Sequence, residues 1–202
     1  MTEEEICCHL DEKVEEFLSK FDRNLRNRLR PKLYFAGGCI YSLANNKEPR
    51  DYDLFMIDCD LLDELKQLDL WKFVSDYALS IGKFQIVYKY YGDPDYCVSQ
   101  FDFKHNMHWY KPFTNRIHNA YQDECSDEEF EDFTYLRTNE LFFNESRARD
   151  IEGVFLRIDK FLDRGFKIKK ETRNKIKARI TKKSVKEYKK SRCSGGNRRC
   201  NS

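Results

Sequence analysis

Two polar motifs within Leu33–Ile57 are close enough in the chain to do chemistry together. Gly37-Gly38 follows one apolar run, and Asp51 and Asp53 open the next. Carboxylates two residues apart on a strand point to the same face, where both can reach one divalent cation such as Mg²⁺. Paired glycines let backbone N–H groups approach a phosphate without a side chain in the way. A phosphate-binding turn that faces a metal-binding carboxylate pair is suited to phosphoryl or nucleotidyl transfer.

The elements that must position these motifs are short. Leu33–Ala36 is predicted to be a buried strand, and Ile40–Ala44 about one turn of helix. The polar loop Asn45–Arg50 then leads to a second strand, Asp51–Ile57. We therefore expect the glycine pair to begin a helix and the carboxylate pair to begin a strand.

Apolar periodicity predicts longer elements in the rest of the chain. The first helix begins with a capping-box pattern at Thr2 and Glu5 and ends before Pro31. The predicted helices cover residues 2–30, 61–79 and 150–163, and the predicted strands cover 84–90, 101–110 and 116–119. Gly92–Asp95 is predicted to be a turn, and the lysine-rich segment beyond residue 167 to be helical to about residue 190. This mixture predicts an α+β or mixed α/β fold with a helical C-terminal piece.

Charge is distributed unevenly along the chain. Residues 161–202 contain 16 Lys and Arg against 3 Asp and Glu, whereas residues 1–160 contain 21 against 32. An acidic body with a basic C-terminus favours an anionic partner, RNA or DNA before a membrane. No stretch approaches the roughly 20 apolar residues of a membrane span. The acidic N-terminus is unlike a secretory signal, and the scattered cysteines indicate reduced thiols, so a cytoplasmic location is expected.

Three segments resemble one family. The first, at residues 36–55, reads AGGCIYSLANNKEPRDYDLF and resembles the first motif of the DNA polymerase β-like nucleotidyltransferases. The nearest branch is the tRNA CCA-adding and poly(A) polymerase type, which reads G-G-x-V-R-D, a short helix, then D-x-D-L. Residues 102–110 resemble the D-F-T-I-N-A-L-A-Y motif of that branch, and residues 156–168 are similar to its neck helix. The order and spacing suit a head and neck, as in small stand-alone nucleotidyltransferases that occur in phages.

The resemblance implies a fold, an activity and a set of site residues. The fold is α+β, with a mixed sheet flanked by helices and a short helical neck. The activity is metal-dependent transfer of NMP from an NTP to an acceptor hydroxyl, with pyrophosphate leaving. The implied catalytic residues are Asp51, Asp53 and Asp102, with Asp51 and Asp53 holding Mg²⁺ or Mn²⁺, and the implied nucleotide-binding residues are Gly37, Gly38, Ser42, Asn106, Arg157 and Lys160. The implied acceptor is an RNA end, most simply tRNA-like, met by the basic C-terminus.

The resemblance also predicts how the chain is divided. Residues 1–148 form the nucleotidyltransferase head with its N-terminal helix. Residues 149–190 form the neck and a basic extension, and residues 191–202 a flexible tail. The location is then cytoplasmic, in the host if a phage encodes the chain, and the oligomeric state is left open.

The chain departs from the family pattern at three places. Ile40-Tyr41-Ser42 stands where the family has V-R-D, so an arginine is missing, and Gln100-Phe101 replaces the arginines before D-F-T. The third carboxylate of the family aligns with Gln85, which is a poor Mg²⁺ ligand. These departures bear on base selection and rate more than on the fold.

Each site residue also has a purely structural interpretation. A glycine pair is often an ordinary strand-to-helix turn, and two aspartates beside Arg50 can be a surface ion pair worth under about 1 kcal/mol. Asp102 can be a structural hydrogen-bond acceptor, and Arg157 and Lys160 can lie on a solvated helix face. Packing is favoured over metal binding for the histidines at positions 105 and 108.

Two other functions remain open. One is the same chemistry on a protein or small-molecule acceptor, as in a toxin-like or modification enzyme. The other is a catalytically decayed module that still binds nucleotide or RNA, which the missing arginines and Gln85 motivate.

Overall fold

A computed structural model describes residues 1–121, 134–146 and 151–179. The chain divides into two compact units. The first unit comprises Met1–Thr138 with Asn144–Arg147, and the second comprises Asn139–Phe143 with Ala148–Ser202. The predicted flexible tail at 191–202 and the end of the lysine-rich helix lie outside the described residues, so the predicted three-part division stays a prediction.

The first unit contains a seven-stranded sheet with helices on both faces. Its helices are α1 (Glu3–Leu18), α2 (Arg23–Leu29), α3 (Gly38–Ala44), α4 (Leu62–Gln67) and α5 (Pro94–Ser99). Its strands are β1 (Leu33–Ala36), β2 (Tyr52–Met56), β3 (Phe73–Val74), β4 (Ala78–Ile81), β5 (Phe84–Val87), β6 (His108–Tyr110) and β7 (Ile117–Asn119). The strand order is β3-β4-β5-β2-β1-β6-β7. Because β2 and β5 are parallel and the other pairs antiparallel, the sheet is mixed, which confirms the predicted α+β fold.

The two faces of the sheet are covered by different helices. On one face the α1 side chain Phe17 packs on Phe84 of β5, with ring centroids 5.4 Å apart. On the other face Cys97 and Val98 of α5 form a buried cluster with Tyr34, Ala36 and Phe55. Side chains alternate along β2, so Tyr52, Leu54 and Met56 face α1 while Phe55 faces α5. This alternation puts Asp53 on the α5 face, where its side chain is partly buried.

The sequence pattern predicts the start of the N-terminal helix correctly but places its end too far along the chain. Thr2 and Glu5 form the predicted capping box. The helix ends at Leu18, and α2 starts anew because the Asp22 carboxylate accepts hydrogen bonds from the amides of Asn24 (2.8 Å) and Leu25 (3.0 Å). Apolar residues keep the same period across the break, so the pattern alone could not locate it.

The helix predicted at residues 61–79 is wrong. Only Leu62–Gln67 is helical, and after an irregular segment at 68–72 the chain forms the β3–β4 hairpin. The Ser75 hydroxyl accepts hydrogen bonds from the amides of Tyr77 (3.2 Å) and Ala78 (3.0 Å), which closes a tight turn in the middle of the apolar pattern.

The predicted turn at Gly92–Asp95 continues directly into α5. The Asp93 carboxylate caps this helix by accepting from the Tyr96 amide at 3.0 Å, and Pro94 occupies the first turn. The hairpin predicted at 101–119 is present as β6 and β7 but is shorter, because residues 104–106 form a 3₁₀ turn.

The second unit contains the predicted C-terminal helix. This helix, α6, spans Ile151–Leu162 and ends before Gly165, whose φ is 87°. Residues 170–179 are also helical. Glu140 and Lys167 form an isolated parallel bridge, and the Lys167 amide donates to the Asn139 carbonyl at 2.7 Å.

Candidate active site

The two carboxylates lie at the start of β2, in the middle of the sheet. Asp53 is partly buried, and Asp51 is exposed one residue before the strand begins. Strand β2 has β1 on one side and β5 on the other, so hydrogen bonds on both edges hold its position. A carboxylate placed on such a strand has a fixed position, as a metal ligand needs.

Tyr52 anchors the strand between the two carboxylates. Its side chain points to the α1 face, where the ring packs beside Phe35 and Phe84. The Tyr52 hydroxyl and the Nε2 of His9 on α1 are hydrogen-bonded at 2.8 Å. Burial is the main cause that raises the pKa of Tyr52, so this hydroxyl stays protonated. Because Tyr52 is fixed on the α1 face, Asp53 is fixed on the opposite face.

Gln85 lies directly beside Asp53. The register of the parallel pair places Asp53 opposite Gln85 and Tyr52 opposite Phe84. The position that the family resemblance assigned to a third carboxylate is therefore next to Asp53 in space and carries an amide. Among the described residues no three His, Cys, Asp or Glu side chains are grouped so that they could hold a metal ion.

Gly37 makes the turn between β1 and α3. Its φ of 83° and ψ of −137° belong to a region that is essentially restricted to glycine. A Cβ at this position would lie 3.5 Å from the Phe101 ring and 4.0 Å from Oδ2 of Asp53. The structure therefore brings Gly37 of one predicted motif close to Asp53 of the other, and the missing side chain leaves space beside the Asp53 carboxylate.

The two glycines have different roles in the turn. The Gly37 amide donates to the His108 carbonyl at 3.2 Å, so it pins the turn to β6. Gly38 is the first residue of α3, whose leading amides have no partner within the helix, and a Cβ on Gly38 would meet nothing within 4 Å. The predicted phosphate contact by backbone amides therefore concerns Gly38 and the residues that follow it rather than Gly37, and it stays a prediction.

Cys39 packs behind the carboxylate. The side chain is buried, and burial followed by the Asp53 charge raises the pKa of its thiol to about 12. A thiol with this pKa is protonated at neutral pH. We therefore assign Cys39 a packing role between α3 and β2 rather than a nucleophilic one.

Asp102 lies in a loop that a buried asparagine holds. The Asp102 side chain is 7% exposed, and the loop includes Phe101, whose ring lies beside Gly37. Asn144 donates through Nδ2 to the carbonyls of Ser99 (2.6 Å) and Phe101 (2.9 Å), and its amide donates to the Asp102 carbonyl (2.8 Å). No sequence pattern indicated Asn144, because its partners lie more than 40 residues away.

Replacing Asn144 with alanine should loosen this loop. Two carbonyls would lose their donor, which costs about 1–3 kcal/mol when the groups stay buried. We expect a lower midpoint in urea denaturation and a raised KM for nucleotide, since Phe101 and Asp102 would move. Asn24→Ala, an exposed change on α2, is the matched control and should leave both values unchanged. An unchanged KM for Asn144→Ala would contradict the assignment.

The remaining predicted residues lie in different places. Ser42 is partly exposed on α3, and Asn106 lies in the 3₁₀ turn before β6 with its Oδ1 buried and without a hydrogen-bond partner. Arg157 and Lys160 lie on α6 in the second unit. Their roles toward a nucleotide stay predictions.

The two histidines near this turn are buried in the first unit. His105 and His108 are each 1% exposed, and His105 packs edge-on against Tyr41 with ring centroids 5.0 Å apart. Burial, with a smaller contribution from His108, lowers the pKa of His105 to about 3, so its ring is neutral. This agrees with a packing role.

The donor atoms at the site fit a hard divalent cation. Two carboxylates and the side-chain carbonyl of Gln85 are oxygen donors, the type that Mg²⁺ and Mn²⁺ take. The gap that a Cβ on Gly37 would fill lies beside Oδ2 of Asp53, so a substrate phosphate can approach the same carboxylate. Phosphate oxygens commonly complete such a shell when the protein supplies few ligands.

Comparison with known families decides where the chain belongs. The sequence profile of the Gabija anti-defense 2 (Gad2) family matches residues 9–146, which include β1 to β7 and all the residues gathered around Asp53. The chain belongs to the Gad2 family. Comparison with curated protein sequences gives no match.

The fold of this Gad2 chain is similar to that of CCA-adding enzymes. A Thermotoga maritima CCA-adding enzyme complexed with tRNA matches with a TM-score of 0.53 and 15% identity, over 84% of this chain and 45% of that one. A CCA-adding enzyme with CTP gives 0.54 and 16%, over 86% and 47%. A tRNA-processing enzyme with CTP gives 0.54 and 17%, over 81% and 47%. The chain spans about half the length of these proteins, and at such identity the likeness shows the nucleotidyltransferase fold alone.

No helix in the described part of the chain is long and apolar enough to cross a membrane.

Proposed function

We propose that this Gad2 chain is a metal-dependent nucleotidyltransferase that moves NMP from an NTP to an acceptor hydroxyl. The observation that carries the proposal is that Oδ2 of Asp53 lies 4.0 Å from the position that a Cβ on Gly37 would occupy. Asp53 lies on a sheet of the nucleotidyltransferase fold, and Gly37 lies in the turn that follows a strand of that sheet. The acceptor oxygen bonds to the α-phosphorus, the α–β phosphoanhydride bond breaks, and pyrophosphate leaves.

The residues divide this work between binding and orientation. Asp51 and Asp53 hold the cation, and the amides at the start of α3 contact the triphosphate. The bound cation supplies charge stabilisation to the phosphates and a lower pKa to the attacking hydroxyl. Gln85 adds no negative charge, so among the described residues around Asp53 the carboxylate ligation comes from Asp51 and Asp53. Asp102, on the loop that Asn144 holds, orients the sugar.

An RNA end is the first candidate acceptor. The 16 to 3 excess of basic residues after position 160 supports this choice. Binding through such charges is largely independent of sequence and weakens steeply with salt. Deleting residues 180–202 should lower RNA affinity and reduce the salt dependence of binding, as measured by fluorescence anisotropy from low to high salt. Unchanged affinity after the deletion would argue against RNA.

A protein of the Gabija system is the second candidate acceptor. The family description, Gabija anti-defense 2, favours it, because attaching NMP to a hydroxyl of a defence protein would add charge and bulk where the protein works. This is the toxin-like form of the same chemistry. For either acceptor we place the activity in the cytoplasm, which is that of the host cell if a phage encodes the chain.

One labelling experiment tests the chemistry and chooses between the acceptors. Each α-³²P-labelled NTP is incubated with the chain and Mg²⁺, once with total RNA and once with lysate of cells that express the Gabija system. Label in RNA supports the first acceptor, and label in a Gabija protein supports the second. Binding of NTP without transfer in either mixture would contradict the enzyme and support a nucleotide-binding module.

A further inference from the structure

A row of side chains crosses one face of the sheet from Asp53 to the edge. The register pairs Asp53 with Gln85, Gln85 with Ser80, and Ser80 with Phe73 on edge strand β3. Side chains at paired positions of neighbouring strands lie on the same face. The row therefore has a carboxylate at one end, two partly exposed polar side chains in the middle, and an aromatic ring at the edge.

The phosphate-binding part of the site lies on the other side of Asp53. The Gly37 turn follows β1, and β1 and β5 flank β2 on opposite sides. A triphosphate held at the start of α3 therefore approaches Asp53 from the β1 side. The acceptor hydroxyl therefore approaches Asp53 from the β5 side, along Gln85 and Ser80.

Phe73 is an unusual residue for its position. Its side chain is 62% exposed, although it lies on an edge strand where a large apolar residue is a liability. Strands lie about 4.8 Å apart, so three strand steps place Phe73 about 14 Å from Asp53. A single nucleic-acid strand with stacked bases rises about 3.4 Å per nucleotide. The distance from Asp53 to Phe73 therefore corresponds to about four stacked nucleotides, and to fewer if the nucleic acid is extended.

We propose that this row binds the end of a single-stranded nucleic-acid acceptor, with Phe73 stacking on a base behind the reacting nucleotide. The proposal rests on the proposed function and specifies the acceptor as a strand rather than a protein. Gln85 and Ser80 supply hydrogen bonds to sugar or phosphate between the two ends. An aromatic face stacks on every base, so the contact extends the binding site without reading sequence.

The chain contains a matched control for this proposal. Val74 follows Phe73 in the same strand and is 52% exposed, but it pairs with buried Leu79 and so lies on the opposite face. Phe73→Ala and Val74→Ala thus remove exposed apolar groups of the same edge strand on different faces. Phe73→Tyr keeps the aromatic face and serves as the rescuing variant.

The test compares acceptor RNAs of two lengths. Initial rates are measured with labelled NTP on a dinucleotide, which is too short to reach Phe73, and on an octanucleotide. Phe73→Ala should raise the KM for the octanucleotide about tenfold, with kcat, the KM for NTP and the dinucleotide rate unchanged. Phe73→Tyr and Val74→Ala should behave as the unmodified chain. Equal losses on both acceptors, no loss, or the same loss in Val74→Ala would overturn the proposal, as would labelling of protein alone.

A second measurement separates this inference from the proposed function. If the unmodified chain transfers NMP to no acceptor, the proposed function fails, and octanucleotide binding is then measured by fluorescence anisotropy. About tenfold weaker binding by Phe73→Ala, but not by Val74→Ala, would still support the surface. Equal binding by both variants would overturn it.

Discussion

Replacing Asp53 with asparagine is expected to lower nucleotidyl transfer by about 10³-fold, because charge stabilisation by a bound cation is worth several kcal/mol and each 1.4 kcal/mol is a factor of ten. The amide keeps the shape of the side chain, so the fold should persist. With Gln85 already beside it, Asp53→Asn would leave Asp51 as the one carboxylate of the pair.

The control for this change is Asp69→Asn, an exposed aspartate outside the site. Transfer of label from α-³²P-labelled NTP is measured over a range of Mg²⁺ and Mn²⁺ concentrations, together with thermal unfolding of each variant. Label transfer by Asp51→Asn should fall by about as much as transfer by Asp53→Asn. Transfer by Asp69→Asn should equal that of the unmodified chain. Transfer by Asp53→Asn within about threefold of normal would contradict the metal assignment, since that factor is below 1 kcal/mol.

Gly37→Ala is expected to harm both stability and activity. The backbone conformation at Gly37 costs an L-residue about 1–3 kcal/mol. The added methyl group would also occupy the gap between the Phe101 ring and Oδ2 of Asp53. We therefore expect a lower midpoint in urea and at least about a tenfold loss of transfer, as a phosphate could no longer approach the carboxylate closely.

Gly92→Ala separates backbone strain from the effect on the site. Gly92 also has a positive φ, 120°, but a Cβ there would meet nothing within 4 Å, and its amide bonds to Met56 at the far end of β2. The Gly92→Ala variant should therefore have a lower urea midpoint than the unmodified chain. Its rate of nucleotidyl transfer per folded molecule should be unchanged. If Gly37→Ala also kept its rate per folded molecule, Gly37 would be a structural turn only.

The central motif could be predicted from the sequence because its information is local. The apolar run before Gly37-Gly38 predicted the strand β1, and the run that Asp51 opens predicted β2, which begins one residue later at Tyr52. The family resemblance added the alignment of Gln85 with a third carboxylate, and the structure places Gln85 in register with Asp53. These features depend on spacing within a few residues or on a quoted motif.

Other features could not be predicted because they depend on contacts between distant residues. Helical spacing of apolar residues at 61–79 is equally compatible with α4 followed by the β3–β4 hairpin, and the Ser75 turn decides between them. The Asn144 contacts to Ser99 and Phe101 join residues 45 and 43 positions apart. The edge position of Phe73 likewise follows from the order of the strands and not from its neighbours in sequence.

The parallel pairing of β2 with β5 has a consequence for how the protein reaches its working form. Because β2 and β5 are parallel, the chain between Asp53 and Gln85 must return to the same end of the sheet before the two strands can pair. The entropy cost of closing this long loop is therefore met before the first hydrogen bond between β2 and β5 forms. Such non-local pairing slows folding, whereas the hairpins β3–β4 and β4–β5 are local and form early. We therefore expect the sheet edge to form before Asp53 and Gln85 come together, so that the proposed site is completed late in folding.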